Sequence, residues 1–510
     1  MVLSLRCGFA GRARRGLGVL FVLLLVLGRC PEAVRAAPAS RPNVILILAD
    51  DLGWSDLHCY GNADHDTPNL DRLATQGMRF TEGYASAPIC SASRASIITG
   101  RSPARLGFEF VVKKPGTPFP KGHPLNPPPY PVRLPLSEVT LGEAVRPAGY
   151  VTGFYGKWHL AQHYQFYLGW SPTHGPLQQG YEEGNMEFGS HPYGDRFRKP
   201  SEMGPLPPGD YGDDKLTDLA VDFLRRHRQD RFFLQLCHYY VHEPIRSRAQ
   251  WLVEKYAERL PPGTPRIRAV YAAMVETLDH LVGQLLHAVD QLGLAENTVI
   301  IFTSDNGGNP KYAANGPLRG GKWSLYEGGI RVPWIVRWPG HVPAGTTSRA
   351  PIIGSDLMPT LCAITGAPAP AHIALDGIND LPIWLGETKG DFGRVLTWHF
   401  PYYHPEIGYE KAFARVGIND FHLSQTHPQS AIRRGDWVLL HFYDSPHDKL
   451  YRLTGDLSEQ RDESTKHPAE AHDLRRRLDA ELRHMHARYP TPVASTPASV
   501  APADGAASHP

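Results

Sequence analysis

The chain has 510 residues, of which 42% are hydrophobic, so it can bury the core of one large domain and a smaller one. Its 53 lysines and arginines are nearly balanced by 51 aspartates and glutamates. Because this balance creates no overall field that would attract nucleic acid or an anionic membrane, we expect no nucleic-acid partner. Any recognition of an anion must therefore come from a local site.

Residues 1–37 are predicted to be a signal peptide. Residues 1–16 are rich in arginine and contain no acidic residue, and LGVLFVLLLVL at 17–27 is followed by small residues such as Ala36 and Ala37. This apolar run is shorter than the roughly 20 residues that span a bilayer, so we expect export without stable membrane insertion. Because the chain contains no Asn-x-Ser/Thr sequon, a bacterial periplasm or secretion is favoured, and a eukaryotic secretory or lysosomal route is the alternative.

Apolar runs and helical periodicities alternate along the rest of the chain, which predicts an α/β fold. Three runs are typical of strands that are buried on both faces of a parallel sheet: NVILILA at 43–49, FFLQLC at 232–237 and TVIIFTS at 298–304. Helices are predicted over 68–76, 214–227 and 266–293.

From about residue 390 the pattern changes to short strands, such as WVLLHFY, and a charged helix at 468–488. These features predict a main domain over 38–388 and a smaller C-terminal domain over 389–490. Residues 491–510 are rich in proline, alanine and serine and are predicted to be a disordered tail. The proline-rich segment 113–135 is predicted to be a surface loop beside the functional site.

Acidic and amide side chains follow two of the predicted strands. Asp50 and Asp51 come directly after the first strand, and Asp305 and Asn306 follow the strand at 298–304. Ligands of open parallel sheets bind beyond the carboxyl ends of the strands, so we expect these four residues to lie at a binding site. Taken alone, an adjacent aspartate pair is more often a turn or a helix cap, so the pair by itself is not a site.

A cysteine motif gives these residues a chemical context. Residues 90–94 are CSASR and lead through ASIIT to Gly100-Arg101, which resembles the sulfatase signature Cys-x-(Pro or Ala)-Ser-Arg followed by Thr-Gly-Arg. Other segments resemble sulfatase segments and occur in the family's order over roughly residues 43–465: PNVILILADDLGWSDLHCYG, TPNLDRLATQGMRF, GYVTGFYGKWHL, TSDNGG, GGKWSLYEGGIRVPWIVRWPG and LYRLTGDLSEQRDE. The chain is therefore identified as a member of the sulfatase family.

The resemblance implies an alkaline-phosphatase-like fold, in which helices flank a large, mixed, mostly parallel sheet and a smaller C-terminal α+β domain contains an antiparallel sheet. It also implies that a maturation enzyme oxidises Cys90 to formylglycine and that Arg94 steadies this residue. One hydroxyl of the hydrated aldehyde would attack sulfur, and the other would lose its proton to release sulfate. Ala92 stands where the commoner signature has proline. This departure leaves open a protein in which Cys90 is not converted and which only binds sulfated glycans.

By the same resemblance, a metal ion is bound by four side chains together with the residue formed from Cys90: Asp50, Asp51, Asp305 and Asn306. Their hard oxygen atoms suit calcium, with magnesium as second choice, and contain none of the imidazole expected for zinc. Such an ion would also lower the cost of gathering three carboxylates.

The remaining candidate residues are basic or polar. The resemblance assigns sulfate contacts to Lys157 and His159 in GKWHL and to Lys322 in GGKWS, and it assigns protonation of the leaving oxygen to His242 in YVHEP. Ser190, in GSHPYG, is a further candidate for sulfate binding. Cations that face the transferred group offset the negative charge that develops on it in a dry pocket.

Together these residues predict a sulfuric ester hydrolase. A sulfated carbohydrate is favoured over an aryl sulfate, because the aromatic residues in 160–212 and in HFPYYHPEIGY at 399–409 are of the kind that stack on sugars. A phosphonate monoester or phosphodiester hydrolase, which also uses a formylglycine and oxygen ligands, is the alternative enzyme class. The segments GKWHL and LYRLTGDLSEQ favour the sulfatase.

Overall fold

Strands and helices alternate along the described part of the computed structural model, which comprises residues 41–119, 121–162, 168–193, 204–212, 214–403 and 427–493. The strands are β1 (Asn43–Ala49), β2 (Met78–Phe80), β3 (Gly83–Tyr84), β4 (Leu125–Asn126), β5 (Val151–Gly156), β6 (Glu183–Asn185), β7 (Phe232–Cys237), β8 (Thr298–Ser304), β9 (Trp334–Arg337), β10 (Thr346–Ser348), β11 (Ile352–Ile353), β12 (Val395–Phe400), β13 (Gln429–Arg434), β14 (Trp437–Phe442), β15 (Lys449–Arg452) and β16 (Thr491–Pro492). The helices are α1 (Pro68–Thr75), α2 (Cys90–Thr99), α3 (Pro103–Leu106), α4 (Leu141–Val145), α5 (Lys215–Arg226), α6 (Gln250–Arg259), α7 (Arg266–Gln291), α8 (Glu327–Ile330), α9 (Leu357–Thr365), α10 (Leu381–Trp384) and α11 (Pro468–His484). The predicted signal peptide lies outside the described residues.

The largest sheet has eight strands in the order β10-β2-β9-β8-β1-β7-β5-β6. From β8 to β6 the neighbouring strands are parallel, whereas β9 is antiparallel to both β8 and β2. The predicted mixed, mostly parallel sheet is therefore confirmed. The three predicted strands are β1, β7 and β8, and every residue in them is buried. Burial on both faces explains why their sequences are continuous apolar runs.

Helices cover both faces of this sheet. Successive side chains of a strand point to opposite faces. Accordingly, Ile45 and Ile47 of β1 pack with residues of α1, α5 and α7, whereas Val44, Leu46 and Leu48 pack with residues of α2, α4 and α9. The first of these layers contains the three predicted helices, each within two residues of its predicted bounds. The flanking helices predicted from the family resemblance are therefore confirmed.

A second sheet lies in the C-terminal part of the chain. Its strands are antiparallel in the order β12-β13-β14-β15, which confirms the predicted antiparallel sheet. One face packs against Leu474, Leu478 and Leu482 of α11, and the other joins an apolar cluster with the first turn of α2. Strand β16, which the sequence assigns to the tail, pairs with β4. The rest of the predicted tail lies outside the described residues.

Neither a membrane span nor a disulfide is found in the described part of the chain. No helix there is both long enough and apolar enough to cross a bilayer. Four cysteines are free: Cys59, Cys90, Cys237 and Cys362.

Gly156, the last residue of β5, controls where the chain leaves the sheet. Its φ is 96°, and a Cβ built on it would lie 2.0 Å from the carbonyl oxygen of Cys237. That same carbonyl accepts a hydrogen bond from the N–H of Lys157 at 2.9 Å. Only glycine combines this φ with such a close approach. Gly156 therefore fixes the position from which the Lys157 side chain extends.

Gly156→Ala should lower the free energy of unfolding by about 2–4 kcal/mol, because alanine would strain the backbone and also overlap the Cys237 carbonyl. Gly149→Ala is the matched control. Its φ is 83°, but an added Cβ would meet nothing within 4 Å, so a loss of only about 1 kcal/mol is expected. Chemical denaturation followed by circular dichroism would compare the two variants. Equal losses of free energy of unfolding in the two variants would show that the close approach of Gly156 to Cys237 does not contribute to the effect.

Candidate active site

Four neighbouring parallel strands end at the same edge of the large sheet. Ala49 of β1 is level with Ser304 of β8, Leu48 with Cys237 of β7, and Gly156 of β5 is also level with Cys237. The residues that follow these strand ends therefore meet at one edge: Asp50, Asp51, Lys157, Asp305 and Asn306. This is the position at which parallel sheets bind their ligands.

His242 reaches the same edge because the pairing of β1 with β7 continues beyond both strands. The N–H of Asp50 donates to the Tyr240 carbonyl at 2.8 Å, and the N–H of Val241 donates to the Asp50 carbonyl at 2.7 Å. Lys322 comes from the segment between β8 and α8. Strand ends and one longer segment thus build the site together.

Three buried ion pairs share this edge: Lys157 Nζ–Asp50 Oδ2 at 2.6 Å, Lys322 Nζ–Asp51 Oδ2 at 2.6 Å and Arg94 Nε–Asp305 Oδ2 at 2.7 Å. Burial opposes ionisation of Asp51, but the charges of Lys322, His242 and Lys157 together outweigh it and hold the pKa of Asp51 well below its usual value. For Asp305, burial dominates and raises the pKa to about 6, although Arg94 opposes the rise. The carboxylates therefore depend on their cations to stay ionised out of water.

Cys90 is the first residue of α2, and its buried side chain lies beside two of these carboxylates. Its Sγ is 3.6 Å from Asp50 Oδ1 and 3.7 Å from Asp51 Oδ1. Burial raises the pKa of the thiol well above its usual value, and the charges of nearby lysines do not reverse this. The unmodified side chain is therefore a protonated thiol, which is a poor nucleophile.

The two ring nitrogens of His242 have different partners, and these partners fix its neutral tautomer. Nδ1 lies 2.9 Å from the carbonyl oxygen of Glu243, which can only accept, so Nδ1 carries the hydrogen. Nε2 then accepts a hydrogen bond from Lys322 Nζ at 3.1 Å. Burial, reinforced by the charge of Lys322, lowers the pKa of His242 to about 3. The imidazole is therefore neutral at neutral pH and faces the lysine with a lone pair.

Side chains that could hold a metal ion converge here, with ligand atoms within 4.8 Å of one another: Asp50, Asp51, Cys90 and His242. His242 was not among the predicted ligands, and its Nε2 already accepts a hydrogen bond from Lys322. Asn306 donates Nδ2 to Asp51 Oδ1 at 2.8 Å, whereas its buried Oδ1 has no hydrogen-bond partner in the described part of the chain. An amide oxygen without a partner beside two carboxylates fits a hard cation such as calcium or magnesium.

His159 and Ser190 differ in their relation to the charged side chains at this edge. Burial, together with the charges of Lys157 and Arg94, holds the pKa of His159 well below its usual value, and within the described residues its Nδ1 has no hydrogen-bond partner. Ser190 is turned elsewhere, since its Oγ lies 3.4 Å from Tyr240 Oη. The charges of Lys157 and Arg94 thus act on His159, whereas in the described part of the chain Ser190 contacts Tyr240 and Asp214 and neither lysine.

Some aromatic residues that were predicted to shape the substrate pocket belong to the core instead. Phe400 and Tyr402 are fully buried. Their rings lie 5.8 Å and 4.6 Å, between centroids, from the ring of Phe110. Because neither ring exposes a face, neither can stack on a sugar, and the prediction was wrong for these two residues. Residues 404–409 of the same segment lie outside the described residues.

Two residues that contact His242 could not be predicted from the sequence. His191 Nε2 lies 2.9 Å from the carbonyl oxygen of His242, and Tyr193 Oη lies 2.8 Å from its Nδ1. Both follow Ser190 in GSHPYG, a segment without helical or strand periodicity. Such a segment gives no indication of which residues it will contact.

Known proteins are similar to this chain in sequence and in fold. The sequence model "Sulfatase" matches residues 42–367, and "N-sulphoglucosamine sulphohydrolase, C-terminal" matches residues 321–488. The chain is 35% identical to arylsulfatase A of Homo sapiens over 407 residues, which cover 74% of this chain and 73% of the relative. It is 36% identical to N-acetylgalactosamine-6-sulfatase of Sus scrofa over 395 residues, which cover 71% and 69%. The crystal structure of Ps i-CgsB in complex with k-i-k-neocarrahexaose is similar to this chain, with a TM-score of 0.68 and 28% sequence identity. The similarity covers 87% of this chain and 93% of the Ps i-CgsB chain.

Arg94→Met should lower the free energy of unfolding by about 3–5 kcal/mol, because it leaves Asp305 without its counter-ion among other buried carboxylates. Arg101→Met is the control, since Arg101 pairs with Glu138 at 2.6 Å but the two side chains are 16% and 13% exposed, against 2% and 0% for Arg94 and Asp305. A loss of about 1 kcal/mol is expected for it. Chemical denaturation in the presence of a chelator would measure both. Similar losses would contradict a special dependence of the carboxylates on Arg94.

Proposed function

Since the chain belongs to the sulfatase family, we propose that it hydrolyses the sulfate ester of a sulfated carbohydrate, with formylglycine formed from Cys90 as nucleophile and a bound calcium ion. One observation carries the proposal. The Cys90 side chain lies within 3.7 Å of both Asp50 and Asp51, and each of these carboxylates is paired with a buried lysine. The proposed nucleophile, two of the proposed metal ligands and the two lysines proposed to bind sulfate therefore lie close together at one edge of the sheet.

Conversion of Cys90 overcomes the weakness of the thiol at this position. As a cysteine, residue 90 is buried and protonated. As formylglycine, it supplies a hydrated aldehyde with two hydroxyls, of which one attacks sulfur and the other loses its proton to release sulfate. Arg94, on the next turn of α2, donates NH1 to the Lys157 carbonyl at 2.8 Å. It thereby ties the nucleophile's helix to the end of β5.

The oxygen atoms that would hold calcium belong to Asp50, Asp51, Asp305 and Asn306. When bound, the ion would polarise a sulfate oxygen and favour the ionised nucleophile. Magnesium has the same preference for oxygen ligands and is the second choice. The support for a hard cation is the set of three carboxylates and the buried Asn306 Oδ1 that lacks a protein partner among the described residues.

Lys157, Lys322 and His159 are proposed to bind the sulfate group. Both lysines are buried, so their attraction for an anion is little screened by water. A bound cation would share the charge of the aspartates and thereby weaken the two lysine pairs. The ammonium groups would then be available to the sulfate oxygens, whose negative charge spreads during the reaction.

His242 is proposed to protonate the leaving oxygen. At rest the imidazole is neutral, and its Nε2 accepts a hydrogen bond from Lys322. A sulfate group between the lysines would offset the positive charge that contributes to the low pKa of His242. The imidazole, whose side chain is 13% exposed, could then take up a proton from solvent at Nε2 and pass it to the departing alkoxide. Sugars are poor leaving groups and depend on such assistance.

A carbohydrate is favoured as substrate because relatives of this chain include an N-acetylgalactosamine-6-sulfatase, and the similar structure of Ps i-CgsB holds a neocarrahexaose. We further propose that the protein is exported through the predicted signal peptide at 1–37. The main domain at 38–388 would carry the catalytic residues, and residues 389–490 would form the smaller C-terminal domain.

The decisive test uses protein from its native host. Peptide mass spectrometry should find formylglycine at position 90, and the protein should turn over sulfated sugars and aryl sulfates faster than an aryl phosphodiester.

Cys90→Ser should keep its melting temperature but complete at most one turnover, because a serine sulfate ester lacks the second hydroxyl needed for release. Sustained turnover by this variant would refute the proposed nucleophile, and an unmodified Cys90 in inactive protein would favour a glycan-binding function instead.

Removal of the metal should lower both the activity and the melting temperature, because the carboxylates would repel one another without it. Calcium should restore both, and magnesium should do so less well. Asp305→Asn is the control, because loss of this ligand should make the melting temperature nearly insensitive to chelator. Melting followed by fluorescence, with and without chelator, checks this. An unchanged melting temperature for the wild type after thorough chelation would contradict a metal at this site.

A further inference from the structure

Residues 191–193 contact His242 at two points, one on its backbone and one on its side chain. His191 Nε2 lies 2.9 Å from the His242 carbonyl oxygen. Tyr193 Oη lies 2.8 Å from His242 Nδ1, and the two rings are 5.9 Å apart between centroids. Both contacting side chains are buried. The segment therefore holds both the chain and the imidazole of His242.

The tautomer of His191 follows from its partners. The carbonyl of His242 can only accept a hydrogen bond, so His191 carries its hydrogen on Nε2. Its Nδ1 then accepts a hydrogen bond from the N–H of Tyr193 at 3.1 Å. One neutral imidazole thus fixes Tyr193 at one end and His242 at the other.

This segment is itself anchored to a helix. Asp214, the N-cap of α5, accepts hydrogen bonds from the N–H of Ser190 at 2.9 Å and from the N–H of Thr217 at 3.1 Å. At Gly189, where φ is 58°, an added Cβ would lie 1.5 Å from Asp214 Oδ1. The segment that holds His242 is therefore tied to the start of α5.

The contact with Tyr193 helps to set the orientation of the His242 ring. Nδ1 carries its hydrogen toward the Glu243 carbonyl and the Tyr193 hydroxyl, which keeps Nε2 directed at Lys322 Nζ, 3.1 Å away. If the ring turned, Nε2 would leave the lysine.

We infer that Tyr193 and His191 are positioning residues that hold His242 in the tautomer and orientation in which Nε2 can pass a proton to the leaving oxygen. This inference rests on the proposed function, because it assigns the two residues a role through His242. It makes Tyr193 a determinant of how poor a leaving group the enzyme can accept. Positioning of this kind affects the chemical step more than substrate affinity.

Tyr193→Phe removes only the hydroxyl and tests this role. The matched control is Tyr239→Phe. Tyr239 is buried, its ring is 5.9 Å from that of Tyr193, and its hydroxyl donates to the Met186 carbonyl at 3.2 Å. Each variant would be assayed on a sulfated sugar and on an activated aryl sulfate. Tyr193→Phe would also be assayed in a His242→Ala background.

For Tyr193→Phe, kcat on the sulfated sugar should fall on the order of tenfold, with less than about a twofold change in KM or in turnover of the aryl sulfate. Tyr239→Phe should leave all of these values nearly unchanged. In the His242→Ala background, Tyr193→Phe should cause no further loss, because its effect requires the imidazole.

Two failures can be told apart. If the wild type turns over sulfate esters but Tyr193→Phe behaves like Tyr239→Phe, or lowers kcat equally with and without His242, the positioning role is refuted and the proposed function stands. If the wild type with residue 90 converted turns over no sulfate ester, the proposed function fails and this inference fails with it.

Discussion

Buried carboxylates are costly to bring together unless positive charge is buried with them, and the large sheet of this protein places three at one edge. Asp50 and Asp51 follow β1, and Asp305 follows β8, which is the next strand in the sheet. Desolvation of each ion costs several kcal/mol, and it is offset only where a cation approaches with good geometry. The three cations come from α2, from the end of β5 and from the segment before α8. The fold is therefore held at this edge by charges from distant parts of the chain.

The same constraint links stability to the proposed reaction. Lys157 and Lys322 are counter-ions of buried aspartates, and under the proposal they also bind the sulfate group. The backbone shares in this arrangement, since Asp51 has a φ of 61° and donates its N–H to Asp305 Oδ1 at 3.1 Å. A positive φ at a residue other than glycine is costly and persists where the surroundings determine it. Charges held this rigidly need little reorganisation when the charge of a substrate changes.

Much of this edge could be predicted from the sequence, for a physical reason. A strand that is buried on both faces must be apolar throughout, so β1, β7 and β8 were recognisable, and the polar residues after β1 and β8 were expected to meet. The proposed roles of Cys90, Arg94 and the two lysines rest on family resemblance. Which lysine faces which carboxylate could not be predicted, because that depends on β7 lying between β1 and β5. The prediction was wrong for Phe400 and Tyr402 because the sequence does not show whether an aromatic residue is buried in the core or exposed in a pocket where it could stack on a sugar.

The C-terminal sheet also supports this edge, although it contributes none of the charged residues. Arg433 of β13 donates hydrogen bonds to the hydroxyl of Tyr84 and to Glu82, just before α2. The Tyr84 hydroxyl in turn donates to Glu327 at 2.8 Å, at the start of α8. One arginine of the second sheet thus reaches the segment that leads into α2 directly and, through Tyr84, the start of α8, which follows the Lys322 segment. Because electrostatic catalysis depends on fixed distances between charges, the second sheet would take part in the proposed reaction by holding these segments in place.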